Sequence, residues 1–396
     1  MAEVRGRSCP QCGARRAEPL MPMRFVLFDG SALPGSFDWV VCSECGLSYY
    51  DTAATQEQLD AYYAGNAYYL AAATAGSGGY GPLEQQRFGA TAECISRHLS
   101  GTDAVVFDVG SGKGGLLCAL RDRGYRRLCA VDMAPACAEY VRSTLGLSAE
   151  TGTAMHLPFG DTTPDCCVYS HVLEHALDPA AIIREAWLRL SDNGILYAEA
   201  PDAAAYGVGV QAPWTELYLE HLNHFDVAHL SALVCAQGFE VLEQGVKQLP
   251  VNATESVQCA YGVFRKRTVP PPPTAPDLGL TAHLRSYVTR CANMPMHARL
   301  DELASSKAPV YVWGMSQYAQ LLLGSSALGR CAIAGYVDGD PGKRTRTIAG
   351  RPVQAPEVLA SAPAHSRVVL TGIGFRAQMR DALTRMHFRG IEVALD

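Results

Sequence analysis

The sequence contains no run of about 18 consecutive apolar residues, and its first residues include no apolar stretch of the kind found in secretory signals. We therefore expect a cytoplasmic protein that neither spans a membrane nor binds one. Basic charge is also scarce, because 33 lysines and arginines stand against 39 acidic residues, which gives a net charge of −6. Proteins that bind the phosphate backbone of nucleic acids usually carry an excess of basic residues, so we expect no nucleic-acid partner.

Charged residues make up only 18% of the chain, whereas apolar residues make up 48%. This composition excludes a disordered chain, a coiled coil and a collagen. At roughly 150 residues per domain, a length of 396 residues predicts two or three domains. Fourteen cysteines without a secretory signal are expected to be reduced thiols, some of them candidate metal ligands, rather than a disulfide framework.

Three blocks differ in composition. Residues 1–62 hold two Cys-x-x-Cys pairs and few periodic segments. From about residue 105 to 266, short apolar runs alternate with helix-like stretches, which predicts βαβ units and a mostly parallel sheet. The predicted strands of this block are 104–109, 128–131, 166–169, 194–199, 239–243 and 256–264. We take 63–268 as one domain.

Four consecutive prolines, Pro270–Pro273, interrupt the pattern and predict an extended, semi-rigid linker over 269–280. A predicted helix at 281–305 then leads into a second alternating region, a domain over 281–396, with strands at 310–313, 332–337 and 368–371. We interpret 351–353 as a connection and Pro356-Glu357 as the start of a helix. This region forms a Rossmann-like half, which consists of a strand, one glycine turn at Gly314, a helix and a strand ending in Asp338. The single glycine in its turn argues against a working dinucleotide site.

The two cysteine pairs share one pattern, Cys-x-x-Cys-Gly, and are separated by 29 residues. Two intervening residues let both thiolates face one ion, and four thiolates suit a closed, tetrahedral Zn²⁺ site with no position left for substrate. We predict structural zinc. Four unrelated reduced cysteines and a nucleic-acid-binding ribbon are the alternatives, and the block carries only scattered arginines. The predicted ligands are Cys9, Cys12, Cys42 and Cys45.

A glycine-rich loop follows the first predicted strand and opens a helix. Gly110, Gly112 and Gly115 satisfy the dinucleotide pattern Gly-x-Gly-x-x-Gly. Asp108 argues against a dinucleotide, because a pyrophosphate would meet its carboxylate, whereas an ammonium group would be stabilised there. S-adenosylmethionine carries such an ammonium. A P-loop is excluded because Lys113 is followed by glycine.

Asp132 ends the next predicted strand, 24 residues after Asp108. An acidic residue there is placed to accept hydrogen bonds from both ribose hydroxyls of either cofactor class. A plain strand-end cap is the alternative.

With Leu157-Pro-Phe159 and Leu173-Glu-His175 following in order, the chain resembles a class I S-adenosylmethionine-dependent methyltransferase. The resemblance implies a central Rossmann-like domain. It also implies contacts to the methionine part from Asp108, Gly110 and Gly112, to the ribose from Asp132, and to the adenine from Thr153 and Ala154. Many relatives carry aspartate where this chain has Thr153.

The whole chain is similar to sugar C-methyltransferases that act on nucleotide-linked 4-keto-6-deoxysugars in antibiotic pathways. This implies an α/β protein with a small N-terminal zinc module, the methyltransferase domain and a second, C-terminal Rossmann-like domain, which is either a wall for the nucleotide or a structural or dimerising unit. By the resemblance His221 is the general base, with Tyr218 and Glu220 as its site neighbours. The family's histidine after the fourth strand falls on His175, and Tyr68 and Tyr69 lie in the segment whose tyrosine closes over the cofactor. His171 replaces the family's site asparagine, and 252–256 replaces a glycine turn.

Carbon methylation would then proceed by enolisation of a ketone, with a histidine as base and Tyr218 or His171 as donor to the enolate oxygen. Alternatives remain open for the role of His221 and for the class of protein. His221 could be a buried structural residue, or Glu220, His221 and His224 could be metal ligands. The chain could be an O- or N-methyltransferase on a sugar or another small metabolite, a zinc-ribbon binding protein with a vestigial cofactor fold, or an NAD-dependent oxidoreductase, which Asp108 disfavours.

Overall fold

The structure, a computed structural model, describes residues 3–65, 82–208, 212–250, 256–268, 277–393 and 395. Tyr68, Tyr69, the linker prolines 270–273 and the segment 252–255 lie outside the described residues. Strands are numbered β1–β18 in chain order and form three sheets. Among the described helices, none is long and apolar enough to cross a bilayer.

The first sheet is antiparallel and has the strand order β1-β2-β3-β4-β10. Its strands are β1 (Glu3–Val4), β2 (Arg16–Arg24), β3 (Ser36–Cys42), β4 (Ser48–Asp51) and β10 (Asn223–His224). Residues 1–62 therefore contain four strands, although their sequence shows few periodic segments. Successive residues such as Trp39 and Val40, or Tyr49 and Tyr50, are all fully buried, so these strands show no alternation of apolar and polar residues.

The second sheet has the strand order β11-β12-β9-β8-β5-β6-β7. Five strands are parallel, and β12 and β11 add an antiparallel hairpin at one edge. The predicted Rossmann-like α/β arrangement is confirmed, although β7 was not predicted. The strands are β5 (Val105–Val109), β6 (Arg127–Asp132), β7 (Ser148–Thr151), β8 (Cys166–Ser170), β9 (Ile195–Pro201), β11 (Phe239–Pro250) and β12 (Ser256–Lys266).

Helices cover both faces of this sheet, so β5 is buried on each side. Phe107 belongs to one core cluster and Val106 to the cluster on the opposite face, as expected from the alternation of side chains along a strand. The α-helices of this part are Gln56–Gly65, Pro82–Ser96, Gly115–Asp122, Pro135–Leu145, Pro179–Arg189 and Val227–Cys235. Two 3-10 helices, Leu173–His175 and Ala203–Ala205, follow β8 and β9.

The third sheet has the strand order β15-β16-β14-β13-β17-β18. Its strands are β13 (Val310–Trp313), β14 (Ile333–Val337), β15 (Thr347–Ile348), β16 (Arg351–Gln354), β17 (Arg367–Leu370) and β18 (Ile391–Val393). Its α-helices are Gly279–Ala292, Met296–Ser306, Gln317–Ser325 and Arg376–Arg385. The 3-10 helices are Ala327–Arg330, Lys343–Thr345, Pro356–Ser361 and Ile373–Phe375.

Two predictions for this region are wrong. The single helix over 281–305 is two helices that separate before Met296, because Pro295 has no amide hydrogen to continue the ladder. Residues 351–353, predicted as a connection, lie in β16 parallel to β14, with Val353 opposite Tyr336. Pro356 does open a helix, of the 3-10 type.

The first and third sheets share one hydrophobic core. Trp39 of β3 lies in the same buried cluster as Tyr287 and Leu322 from helices of the C-terminal region. Backbone hydrogen bonds also join the two parts, for example from the Val26 amide to the Gln320 carbonyl at 2.9 Å. The C-terminal region is therefore packed on the N-terminal sheet, which brings it within reach of the site described next.

Candidate active site

A cavity of about 300 Å³ lies at the carboxyl ends of β5, β6 and β8. In open parallel sheets this edge is the usual ligand site. The fold brings the predicted cofactor residues together on its wall with two of the predicted catalytic histidines. These residues are Asp108, Gly110, Gly112, Asp132, Thr153, Ala154, His171 and His175.

The glycine loop needs its glycines. Gly110, Gly112 and Gly114 have φ values of 75°, 53° and 75°, in the region that disfavours side chains. A Cβ on Gly110 would also stand 2.6 Å from Cγ2 of Val172. Glycine therefore allows the backbone of the loop to connect β5 to the helix Gly115–Asp122 without a clash. The loop forms one wall of the cavity.

Asp108 is a buried carboxyl group that lines the cavity, with 3% of its surface exposed. Burial, followed by the charges of Asp132 and Glu199, raises its pKa to about 7. A carboxylate in such a place is stabilised by a cation brought against it. An ammonium-bearing ligand fits this requirement, whereas a pyrophosphate does not.

Asp132 lies at the edge of the cavity and accepts hydrogen bonds from two backbone amides. Its Oδ2 accepts a hydrogen bond from Gly112 N and its Oδ1 from Ala134 N, each at 2.8 Å. Burial raises the pKa of Asp132, and these two amides act in the opposite direction. Each oxygen keeps a second lone pair, so the carboxylate can cap its own loop and still accept ribose hydroxyls. The residues present therefore fit S-adenosylmethionine.

Affinity for S-adenosylmethionine is expected to rise about fivefold between pH 6 and 7.5. Asp108, with a pKa of about 7, must lose its proton to receive the ammonium, and the amine itself stays charged below about 7.7–8.0. Calorimetric titration at several pH values measures this dependence. Asp108→Asn keeps the cavity histidines and should bind more weakly, with a flat pH profile. A wild-type affinity that does not change with pH would contradict the assignment.

The segment around His221 lies beside the cavity. The His221 ring centroid stands 4.9 Å from that of His175, which lines the cavity, and 4.8 Å from that of Tyr218. Burial, followed by the neighbouring His175, His224 and His171, lowers the pKa of His221 well below its usual value. The residue is half-buried, so part of its surface remains accessible.

Glu220 is turned away from His221 and towards the C-terminal region. Its Oε2 accepts hydrogen bonds from Gln317 Nε2 at 2.5 Å and from the Tyr62 hydroxyl at 3.3 Å. Oε1 of Gln317 also accepts from the Leu219 amide at 2.8 Å. Gln317 thus clamps both the backbone and the carboxylate of the segment that carries His221. No local sequence pattern marks this residue.

His171 sits directly after β8 with a φ of 57°, which is unusual for a residue with a side chain. Its Nδ1 lies 3.1 Å from Oε1 of Glu174, and its Nε2 lies 3.7 Å from Oε1 of Glu199. Glu199 was not predicted as a site residue, although a carboxylate inside the apolar run 194–201 was a visible signal. Burial opposes its ionisation, but Lys247, His171 and Arg87 hold the pKa of Glu199 well below its usual range.

The four predicted zinc ligands converge apart from the cavity, with all four sulfur atoms within 4.8 Å of one another. Cys9 Sγ lies 3.6 Å from Cys45 Sγ, and Cys12 Sγ lies 3.5 Å from Cys42 Sγ. Tetrahedral zinc with bonds of about 2.3 Å places its sulfurs about 3.8 Å apart. Both knuckles close with the same turn, from the amide of Gly13 or Gly46 to the carbonyl four residues earlier. The donor set fits a closed zinc site.

Arg7, two residues before Cys9, connects this knuckle to the segments that follow His175 and His221. Its guanidinium donates to the backbone carbonyls of Ala176, Leu177 and Leu222, and to Oδ1 of Asn223, at 2.8–3.2 Å. Burial lowers its pKa to about 10. The cysteine cluster therefore anchors a side chain that holds the segments after His175 and His221 in place.

Comparison with known proteins identifies the central block. Residues 83–244 match the family model described as a methyltransferase domain. No curated protein matches the chain.

Several solved structures are similar to part of the chain. A SAM-dependent methyltransferase from Methanosarcina mazei has 18% identity and a TM-score of 0.37, covering 44% of this chain and 97% of that one. A 1,6-didemethyltoxoflavin N1-methyltransferase from Burkholderia thailandensis, with bound S-adenosylhomocysteine, has 15% identity and a TM-score of 0.41, covering 57% and 97%. The CcbJ methyltransferase from Streptomyces caelestis has 14% identity and a TM-score of 0.40, covering 52% and 98%. Residues 83–244 carry a methyltransferase domain, and the chain is an enzyme.

Proposed function

We propose that the chain is a C-methyltransferase that acts on a nucleotide-linked 4-keto-6-deoxysugar in a specialised-metabolite pathway. The observation that carries the proposal is the position of His221, a half-buried imidazole whose ring centroid lies 4.9 Å from that of His175, a residue that lines the cavity. A neutral imidazole is a base, and a ketone is the group that makes an adjacent C–H bond acidic enough for such a base.

In this proposal His221 removes a proton from the carbon next to the ketone. Donors near the ring then stabilise the negative oxygen of the enolate, which is typically a large electrostatic contribution. Tyr218 stands against His221 and is 43% exposed, so its hydroxyl can reach a substrate. His171 and His175 face the same space from the cavity wall. When bound, S-adenosylmethionine supplies an electrophilic methyl group.

The proposed cofactor contacts are those that the cavity assembles: Asp108 for the ammonium, Gly110 and Gly112 for the methionine part, Asp132 for the ribose, and Thr153 and Ala154 for the adenine. Tyr68 and Tyr69 stay a prediction from the sequence. The division into 1–62, 63–268, 269–280 and 281–396 also stays a proposal. Structural Zn²⁺ on the four cysteines is proposed from their sulfur separations.

The C-terminal region is proposed to contribute a wall for the nucleotide part of the substrate. Its own Rossmann-like turn does not favour a second cofactor, because the ammonium group of Lys343 already pairs with the carboxylate of Asp338. Oδ2 of Asp338 accepts hydrogen bonds from Met315 N at 2.7 Å and from Lys343 Nζ at 3.2 Å. Gln317 at the start of the next helix instead reaches the His221 segment, which links this region to catalysis.

A comparison of matched substrates tests the proposal. Purified enzyme is given S-adenosylmethionine and either a nucleoside diphosphate-linked 4-keto-6-deoxysugar or the same sugar with its ketone reduced to a hydroxyl, and mass spectrometry follows the gain of a methyl group. We expect transfer to the ketone substrate alone. Equal transfer to both sugars would contradict enolate chemistry and favour the O-methyltransferase alternative. Failure of both sugars, with intact cofactor binding, would contradict the proposed substrate class.

A further inference from the structure

Glu174, His175 and His221 bring one donor atom each to a common point. One carboxylate oxygen and two ring nitrogens all lie within 4.8 Å of one another. Glu174 and His175 belong to the 3-10 helix Leu173–His175 after β8, and His221 arrives from the segment before β10. His221 is therefore distant in sequence from the adjacent Glu174 and His175, and the fold holds the three residues together.

The hydrogen bond of His175 fixes which ring nitrogen faces this point. Nδ1 of His175 lies 3.1 Å from the carbonyl oxygen of Glu220. A carbonyl only accepts hydrogen bonds, so Nδ1 carries a hydrogen and Nε2 is the ring nitrogen that can offer a lone pair to an ion. This Nε2 stands 3.9 Å from Oε1 of Glu174, so two candidate ligand atoms face each other. Metal-binding histidines commonly donate their other N–H in this way.

Glu174 strengthens the case for a cation. The residue is 1% exposed, and its Oε2 is buried without a hydrogen-bond partner in the described structure. Its Oε1 is approached by Nδ1 of His171 at 3.1 Å. A buried carboxylate with an unsatisfied oxygen is costly unless positive charge reaches it.

We propose that Glu174, His175 and His221 bind a divalent transition-metal ion and that the bound ion inhibits methyl transfer. Two imidazoles and one carboxylate are ligands that zinc, nickel and cobalt(II) prefer, whereas magnesium prefers oxygen alone. A tetrahedral ion with bonds of 2.0–2.2 Å separates its donors by about 3.4 Å. The three side chains need to close by about 1 Å, and the remaining position is open to water.

Inhibition follows from the lone pair that the ion would occupy. An imidazole nitrogen that ligates a metal cannot take a proton from a substrate. This part of the proposal rests on the proposed function of His221 as a base, whereas the binding part does not. The site is also chemically distinct from the four cysteines, which offer sulfur alone and lie apart from the cavity.

Cobalt(II) titration tests the binding part. The full chain is first loaded with one equivalent of zinc at the four cysteines, then titrated with Co²⁺ while calorimetry and visible absorption are recorded. We expect one additional ion per chain, with a cobalt spectrum that lacks thiolate charge-transfer bands. Glu174→Gln and His221→Ala should each weaken this binding at least about tenfold, the lower range for disturbed metal sites. His98→Ala removes a histidine paired with Glu243 elsewhere and should bind as the wild type does.

The outcomes separate the two proposals. No additional ion, or an additional ion that binds both site variants as tightly as the wild type, would overturn the metal site. Since His221 is half-buried, its variant remains informative even if Glu174→Gln fails to fold. Inhibition of methyl transfer by Ni²⁺ or Co²⁺ over the same concentrations at which the ion binds is expected. Binding to the site with undiminished transfer would overturn the inhibition, and failure of the proposed substrate class would show as absent transfer before any metal is added.

Discussion

Replacing His221 with alanine is expected to lower the rate of methyl transfer to a ketosugar by about 10²–10⁴-fold, the usual contribution of a general base. The proposed base is the imidazole of His221, which lies beside Tyr218 and His175. Affinity for S-adenosylmethionine should be unchanged, because Asp108 and Asp132 are untouched. Steady-state rates and calorimetric cofactor binding measure the two effects.

Hydrogen exchange at the carbon next to the ketone isolates the step assigned to His221. In deuterium oxide, with S-adenosylhomocysteine in place of the methyl donor, the wild type should introduce deuterium there and His221→Ala should not. A structural histidine would instead lower the melting temperature and cofactor affinity together. A variant that retains both exchange and methyl transfer would show that His221 is not the base.

Removal of zinc from the four-cysteine cluster is expected to lower the melting temperature by about 10 °C or more and to abolish activity. Structural zinc contributes on the order of 10 kcal/mol to folding in small zinc modules, and each lost kcal/mol shifts the melting temperature of a large domain by about 2–4 °C. The loss spreads to the active site because Arg7, next to the knuckle, holds the carbonyls of Ala176 and Leu222.

Cys42→Ser tests the same cluster without a chelator. The variant should contain less zinc by elemental analysis and melt at lower temperature. Cys235→Ser, a half-buried cysteine outside the cluster, is the matched control and should retain both zinc and stability. Full zinc-free stability of the wild type, with intact methyl transfer, would contradict a structural role for the metal.

The parts of the fold that follow from local pattern were predictable. β5, the glycine loop and Asp132 occur in order within 30 residues, and each imposes its own physical requirement on the backbone or the ligand. The two knuckles were predictable for the same reason, because the two-residue spacing within each Cys-x-x-Cys pair brings its two sulfur atoms together. The break before Met296 was also visible at Pro295, but the apolar periodicity on both sides favoured one long helix.

Contacts between distant segments were not predictable, because no local pattern records them. β10 pairs with β4 across more than 170 residues, with Asn223 opposite Tyr49. Gln317, at the start of a helix of the C-terminal region, reaches Glu220, and Lys247 forms an ion pair with the fully buried Glu199. Neither Gln317 nor Lys247 stands out in the sequence. They act through the packing of the N-terminal sheet, the methyltransferase domain and the C-terminal region around one site.

Carbon-13 NMR of the product tests the central claim most directly. The enzyme is supplied with S-adenosylmethionine that carries a carbon-13 methyl group and with a nucleotide-linked 4-keto-6-deoxysugar. Enolate chemistry at His221 predicts a labelled methyl bonded to the ring carbon next to the ketone, with the signal lost in His221→Ala. A labelled methyl on oxygen or nitrogen, formed at similar rates by the wild type and the variant, would contradict it.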